Sequence, residues 1–337
     1  MTKKLPRVGI RLDQELDPRR CIDLARIAET SGFASLWFAE NPFHRGILPA
    51  LSACAAGTER IAIGIGSVNP YQHHPTQIAM DFAALDELAD GRVRLGIGSG
   101  IAARIERLGY RYQPLAALTD AVNILRPLLR GEEATYRGRV FSAEGVALGF
   151  RPPHPDMSIY FASMGDRSLA LCGRLADGLI VSNMCPPGYS ERAIGIAQES
   201  AAATGRPPLD IVQYVPCAVR PDRDEARLVA KGVIGAMLAT FWPTGEDWPA
   251  LRETIVAHSG ISKPEFVVAL ARLRRGEAAD LVLDDRFIEA FAIAGTAEDC
   301  LAQMARYSRV GVGELVLSFA GTEPAIDMAY LADALKR

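Results

Sequence analysis

The sequence predicts a closed parallel (β/α)8 barrel, and three observations carry that prediction. Eight short apolar runs of strand length alternate with segments of helical period. No linker or second compositional phase divides the 337 residues. With 49% hydrophobic and 23% charged residues, the chain can fill the core of such a barrel, which commonly takes about 250 residues or more.

Arg7 to Leu12 reads as the first strand. Asp17 and Pro18 then supply an N-cap and a proline suited to the first helical position. Ile22, Leu24, Ala25, Ile27 and Ala28 fall at helical spacing, and Gly32 stops the helix. Ala34 to Ala39 is the second strand and Leu48 to Ala56 the second helix. Ile61 to Ile65, the helix Pro75 to Leu88 and the strand Val93 to Ile97 make a βαβ unit. A helix over Pro114 to Leu129 precedes a polar, hairpin-like stretch from Ala134 to Leu148. Strands follow at Ser158 to Ala162, Gly178 to Val181 and Asp210 to Ala218, with helices at Ser168 to Leu175 and Glu191 to Ala203.

From about Asp222 to Phe291 the rhythm breaks into mostly helical pattern with a Trp/Pro-rich loop, Phe241 to Pro249. We read this as an insertion within one domain spanning 1–337. Its Trp242 and Trp248 either pack the insertion or stack on a substrate ring as a lid. The alternation then resumes with a helix after Gly295 and Thr296, a strand at Glu314 to Phe319 and a last helix from Pro324.

In a barrel of this kind the active site lies at the C-terminal ends of the strands. That rule selects Arg11, Glu40, residues 66–69, 98–100 and 162–165, Ser182 and Asn183, and residues 319–321. Two of these ends break into glycine, Ile63-Gly-Ile-Gly-Ser-Val68 and Leu95-Gly-Ile-Gly-Ser-Gly100. Glycine reaches φ > 0 and lets a ligand approach the backbone, so a planar cofactor can lie against bare peptide there; a tight turn is the plainer reading.

Composition excludes several classes. Thirty-seven basic against 40 acidic residues, a net charge of −3, offer no field for a polyanion, so no nucleic acid is expected. No apolar run reaches the roughly 18 residues of a membrane span, and the N-terminus leads into a strand; a soluble cytoplasmic protein is expected. Six scattered cysteines without a C-x-x-C pair suggest neither a disulfide framework nor a zinc ribbon, and the five histidines lack metal-binding spacing, so no metal site is expected. Ile101 stands where the third glycine of a dinucleotide fingerprint would fall, and no P-loop or G-x-S-x-G is present.

Gly66-Ser-Val-Asn-Pro-Tyr-Gln-His-His-Pro75, Ala84-Leu-Asp-Glu-Leu-Ala-Asp-Gly-Arg92 and Leu95-Gly-Ile-Gly-Ser-Gly100 resemble the signature of the bacterial luciferase-like superfamily. Within it they look most like the branch that uses the deazaflavin coenzyme F420, typified by methylenetetrahydromethanopterin reductase. The likeness spans nearly the whole chain. Ile159-Tyr-Phe-Ala-Ser-Met-Gly165, Ala176-Asp-Gly-Leu-Ile180, Ala290-Phe-Ala-Ile-Ala-Gly-Thr296 and Gly311-Val-Gly-Glu-Leu315 fall in the order shown by that reductase.

The resemblance implies roles for particular residues. The third-strand bulge that backs the cofactor ring, often with a non-prolyl cis peptide, matches Gly66, Ser67 and Val68, followed by Asn69; Gly98 and Ser99 end the neighbouring strand. The phosphate-binding turn matches Ala162, Ser163, Met164 and Gly165, where the N–H groups opening a helix favour an anion. Here the turn continues into Asp166, which repels phosphate unless turned away, and Arg167, which attracts it. Glu40 falls where the family carries an acid near the ring edge, and a carboxyl there can hold a proton for transfer; the alternative is a structural ion pair with Arg11 or Arg45. His73 is placed to touch the cofactor, whereas His74 reads as structural.

Two departures matter. Asn41 replaces a histidine common in relatives such as the luciferases, which counts against a luciferase-type monooxygenase. Arg11 replaces an acid in the first-strand motif, so methylenetetrahydromethanopterin itself is not the expected substrate. Arg11 either binds a substrate carboxylate or neutralises Glu40.

The resemblance therefore implies an oxidoreductase that transfers a hydride between coenzyme F420 and a small organic substrate, with Glu40 as proton relay and Arg11 as substrate anchor. One alternative is an FMN-dependent monooxygenase supplied by a partner flavin reductase. Another is a non-catalytic ligand-binding barrel. Relatives are commonly homodimers or larger, so a homo-oligomer is expected.

Overall fold

A wall of eight parallel strands closes on itself in this computed structural model, which describes residues 5–241, 249–321 and 323–336. Strands β1 (Arg7–Leu12), β2 (Ser35–Phe38), β3 (Ala62–Val68) and β4 (Val93–Gly98) each pair with the next. β5 (Ala134–Arg137) and β6 (Ser142–Val146) form a separate antiparallel hairpin where the sequence reads as one. The wall continues through β7 (Ile159–Ala162), β8 (Gly178–Val181) and the long β9 (Asp210–Val219). A short β10 (Ile293–Gly295) pairs with the last three residues of β9, and β11 (Glu314–Phe319) pairs with both β9 and β1, which closes the ring.

The connecting helices are α1 (Pro18–Ser31), α2 (Ile47–Gly57), α3 (Pro75–Leu88), α4 (Ala102–Glu106), α5 (Pro114–Leu129), α6 (Asp166–Leu175) and α7 (Pro187–Ala203). The stretch after β9 holds α8 (Arg223–Phe241), α9 (Pro249–Ala257), α10 (Lys263–Arg274), α11 (Ala279–Val282) and α12 (Asp285–Phe291), helical as its sequence pattern reads. α13 (Ala297–Arg309) and α14 (Pro324–Leu335) complete the chain. Trp242 and Trp248 lie outside the described residues.

Local chemistry explains the boundaries. Asp17 accepts a hydrogen bond from the Arg19 amide at 2.8 Å and Pro18 opens α1, while Gly32 at φ 87° ends it in the left-handed region. Thr296 and Asp299 cap α13 reciprocally. α4 and β10 were not anticipated: the first is five residues long and the second three, too short for either period to register.

The barrel interior is aromatic where the wall is glycine. Trp37, Tyr160, Ile180, Val212, Tyr214 and Val316 form a buried inner cluster. A Cβ on Gly64 would lie 2.1 Å from the Trp37 ring, and one on Gly178 2.2 Å from Tyr160. Below that layer, at the N-terminal ends of the strands, fully buried Glu314 accepts from Arg94 at 2.7 Å, Arg7 at 3.0 Å and Trp37 Nε1 at 3.1 Å, and also from Ser35 Oγ. Arg7 reaches on to Asp210 at 2.9 Å. One end of the cylinder is thus sealed by side chains and charge, leaving the C-terminal end for chemistry.

Candidate active site

At that end β3 carries a bulge. Ile65 stands opposite Leu95 but Val68 opposite Ile97, so three steps along β3 face two along β4. The Gly66–Ser67 peptide inside the bulge is cis. Tyr214 donates its hydroxyl to the Gly66 carbonyl at 3.1 Å, and a Cβ on Gly66 would meet that hydroxyl at 2.1 Å. A Cβ on Gly98 would lie 2.3 Å from Ser67 Oγ. These glycines are therefore bare to admit neighbouring protein side chains, which differs from the expectation that their missing side chains make room for a ligand. The half-buried groups left at the mouth are Ser67 and Ser99, the latter 3.2 Å from the Tyr112 hydroxyl.

Glu40 follows β2 and its amide donates to the Ser67 carbonyl at 3.3 Å. Buried Asn69 builds the adjoining turn: its Oδ1 accepts from the Tyr71 amide at 2.9 Å, and its carbonyl accepts from the amides of Gln72 and His73 at 3.0 and 3.1 Å. The turn delivers His73 to Glu40, Nε2 to Oε1, at 2.8 Å. Only 7% of the Glu40 side chain is exposed against 35% for His73, so the imidazole lies between a buried carboxylate and solvent. The hydrogen bond to Glu40 raises the His73 pKa.

Neither arginine forms the structural ion pair considered for Glu40. Arg45 donates to the carbonyls of Gln14 and Glu15 at 3.3 and 2.8 Å, and the Arg11 guanidinium stands 5.5 Å from the Tyr214 ring centroid. His74 caps α3 through Thr76, and its ring meets the Phe141 ring edge-on at 5.7 Å.

The turn after β7 runs Ala162, Ser163, Met164, Gly165 into α6. The Met164 carbonyl accepts from the Tyr189 hydroxyl, and Gly165 caps α6 without a side-chain hydrogen bond. Asp166 is gripped by Arg192 through two contacts of 2.7 Å, which hold its carboxylate below the usual range. Its charge is thus partnered at the helix opening, where Arg167 is exposed. Arg192 lies on α7, 26 residues along the chain, and no local pattern marks it.

Among the described residues, five buried side-chain atoms close to the ends of the barrel strands have no hydrogen-bond partner: Arg11 Nε, Glu40 Oε2, Ser163 Oγ, Asn183 Oδ1 and Ser318 Oγ. Each belongs to a residue within two positions of the C-terminal end of a barrel strand, and five different strands contribute. Buried polar atoms are ordinarily satisfied, so a ring of unsatisfied ones around a bulge fits a polar ligand that completes them. A cavity of about 220 Å³ opens in the β1–β11 sector beside Arg11 and Ser318. The bulge lies outside its lining, so this cavity is a separate sector of the mouth.

The family model described as luciferase-like monooxygenase matches residues 3–314. Over 293 residues the chain is 31% identical to a 5,10-methylenetetrahydromethanopterin reductase of Archaeoglobus fulgidus, 86% of each chain being covered. Over 334 residues it is 29% identical to an F420-dependent glucose-6-phosphate dehydrogenase of Beutenbergia cavernae, covering 94% of this chain and 90% of that one. Among solved structures, the coenzyme F420 dependent tetrahydromethanopterin reductase from Methanopyrus kandleri superposes with a TM-score of 0.85 at 22% identity, covering 98% of both chains. At that identity the likeness is one of fold.

Proposed function

The chain belongs to the luciferase-like monooxygenase family, and we propose that within it the protein is an oxidoreductase that uses coenzyme F420 to move a hydride to or from a small organic molecule. The observation that carries the reading is the bulge at Gly66, Ser67 and Val68 set beside a buried carboxyl with one unpartnered oxygen. Coenzyme F420 rather than FMN is the choice because F420 dependence is named in relatives and neighbours that align along nearly the whole chain.

The residues present fit such a group. Gly66 to Asn69, with Gly98 and Ser99, would back the ring, and Ala162 to Gly165 with Arg167 would hold its anionic tail at the opening of α6. Bound coenzyme F420 supplies the hydride chemistry itself. The chain contributes placement and a proton. Glu40 Oε2 is the atom that gives or takes that proton, Oε1 is fixed by His73, and His73 connects the carboxyl to solvent. The sealed lower barrel keeps water from approaching from beneath. Such an enzyme would act as a homo-oligomer in the cytoplasm; among the described residues no helix is long and apolar enough to cross a membrane.

Anaerobic titration of the purified protein with F420 and, separately, with FMN, each followed by reduction and admission of oxygen, tests the reading. The expected result is saturable binding of F420 and no oxygen consumption in its reduced form. Binding of FMN alone, with oxygen uptake on reduction, would overturn it in favour of a monooxygenase.

A further inference from the structure

Arg11 has a charge that the protein leaves unanswered. Arg94, Arg126, Arg206 and Arg220 are also partly buried, and each meets a carboxylate within 4 Å, at 2.7 Å for Arg94 and 2.9 Å for Arg206. Among the described residues Arg11 meets none. Its Nε is buried without a hydrogen-bond partner, and its recorded contact is with the face of Tyr214. A half-buried guanidinium whose Nε meets neither acceptor nor carboxylate is left unsatisfied, which points to an anion from outside.

A second unpartnered group stands beside it. Ile10 pairs with Leu317 across β1 and β11, so one step further Arg11 lies opposite Ser318, whose buried Oγ also lacks a partner. Both line the cavity of about 220 Å³, whose remaining wall is largely apolar, with Leu12, Leu24 and Met328. Asp13 lines it too, and its Oδ1 accepts the Glu15 amide at 2.9 Å. Tyr214 ties this place to the bulge, because its ring carries Arg11 and its hydroxyl holds the Gly66 carbonyl.

We propose that Arg11 and Ser318 form a carboxylate subsite, so that the substrate is a small organic acid with an apolar body, held by its carboxylate at the β1–β11 rim. This rests on the oxidoreductase reading for its chemistry but on separate residues for its evidence. Guanidinium and hydroxyl together offer donors to both carboxylate oxygens, and Leu12, Leu24 and Met328 offer an apolar wall to the carbons next to the carboxylate, the reacting carbon lying beyond the cavity toward the bulge. Neutral substrates of the same shape leave the guanidinium unanswered and bind more weakly.

The test uses isobutyrate and its neutral isostere isobutyramide, titrated calorimetrically into the purified full chain with and without F420. Wild type is expected to prefer the carboxylate by about tenfold or more, the usual worth of a charge-assisted hydrogen bond. Arg11→Gln removes the preference, Arg11→Lys keeps part of it, and Ser318→Ala reduces it several-fold, all with unchanged melting temperature. Equal affinity for acid and amide in wild type, or a preference that survives Arg11→Gln, overturns the subsite. So does a fall in F420 affinity in Arg11→Gln that matches the loss of acid binding, which would assign Arg11 to the cofactor. If wild type binds isobutyrate selectively yet binds no F420, the subsite stands and the oxidoreductase reading falls.

Discussion

Glu40 and His73 show how much of the site depends on a single contact of 2.8 Å. The buried carboxylate gains a fixed orientation, and the half-exposed imidazole gains a proton affinity above its ordinary value because Glu40 accepts its hydrogen bond. Replacing Glu40 by Gln keeps shape and removes the titratable proton. Hydride transfer measured in a single turnover is expected to slow by about a hundredfold or more while F420 affinity stays within a few fold; an unchanged rate would remove Glu40 from the chemistry. His73 makes a separate prediction about stability. A pKa raised in the folded state means the pair stabilises fully below about pH 6.5 and less as pH rises through the raised value. The melting difference between wild type and His73→Asn should therefore be largest on the acid side and fade in alkali, and remain small because His73 is partly exposed. A difference that grows with pH contradicts the pairing.

Two elements position the rest. The bulge in β3 is legible in the sequence as glycine at a strand end, but the reason for the glycine is not, because it depends on Tyr214 from a strand that comes 148 residues later. β9 shows no apolar/polar alternation because its residues 211–219 are buried on both faces, Gln213 included, so nothing local announces that Tyr214 points inward. Gly66→Ala is expected to destabilise by about 1–3 kcal/mol in urea unfolding, the usual cost of overpacking, since its Cβ would overlap the Tyr214 hydroxyl. An alanine variant as stable as wild type would contradict that packing. At the opening of α6 the sequence raises the question of Asp166 without answering it. Arg192→Ala should weaken F420 binding by freeing the Asp166 charge beside the proposed tail site, at a stability cost below about 1 kcal/mol for so exposed a pair. Adding Asp166→Ala should restore the affinity; if the double variant is weaker still, Arg192 itself touches the ligand.

Across the whole molecule, the barrel divides labour between its ends. The lower end is closed by Glu314 with Arg7, Arg94 and Ser35, and the upper end carries the unpartnered atoms of Arg11, Glu40, Ser163, Asn183 and Ser318. Burial alone would push the Glu314 carboxyl up, but Arg94, Ser35 and Arg7 outweigh it and hold it low. Its stabilisation is present above about pH 4.3, the ordinary carboxylate value, and lost as pH falls through the lowered one. Glu314→Ala should cost about 3 kcal/mol near neutrality, the lower part of the range for a broken buried pair because Arg7 is half exposed, and less in acid. A denaturation midpoint that does not move would contradict a structural role.

The architecture was legible because each of the eight strand runs keeps its apolar character against a helical neighbour, and the helical stretch after β9 announces itself by losing that rhythm. The positions of Arg11, Glu40 and the turn at 162–165 were legible from strand ends and resemblance, whereas the choice between an Arg11–Glu40 pair and a free Arg11 was not. Their partners His73, Arg192, Tyr214 and Ser318 depend on tertiary contacts that no local spacing encodes.

A crystal structure of the protein soaked with F420 decides whether a redox ring seats against the bulge with Glu40 at its edge. Density for the deazaflavin ring is expected against Gly66, Ser67 and Val68, with the Glu40 carboxyl in contact. Density elsewhere on the barrel, or a mouth that stays empty at saturating F420, would contradict it.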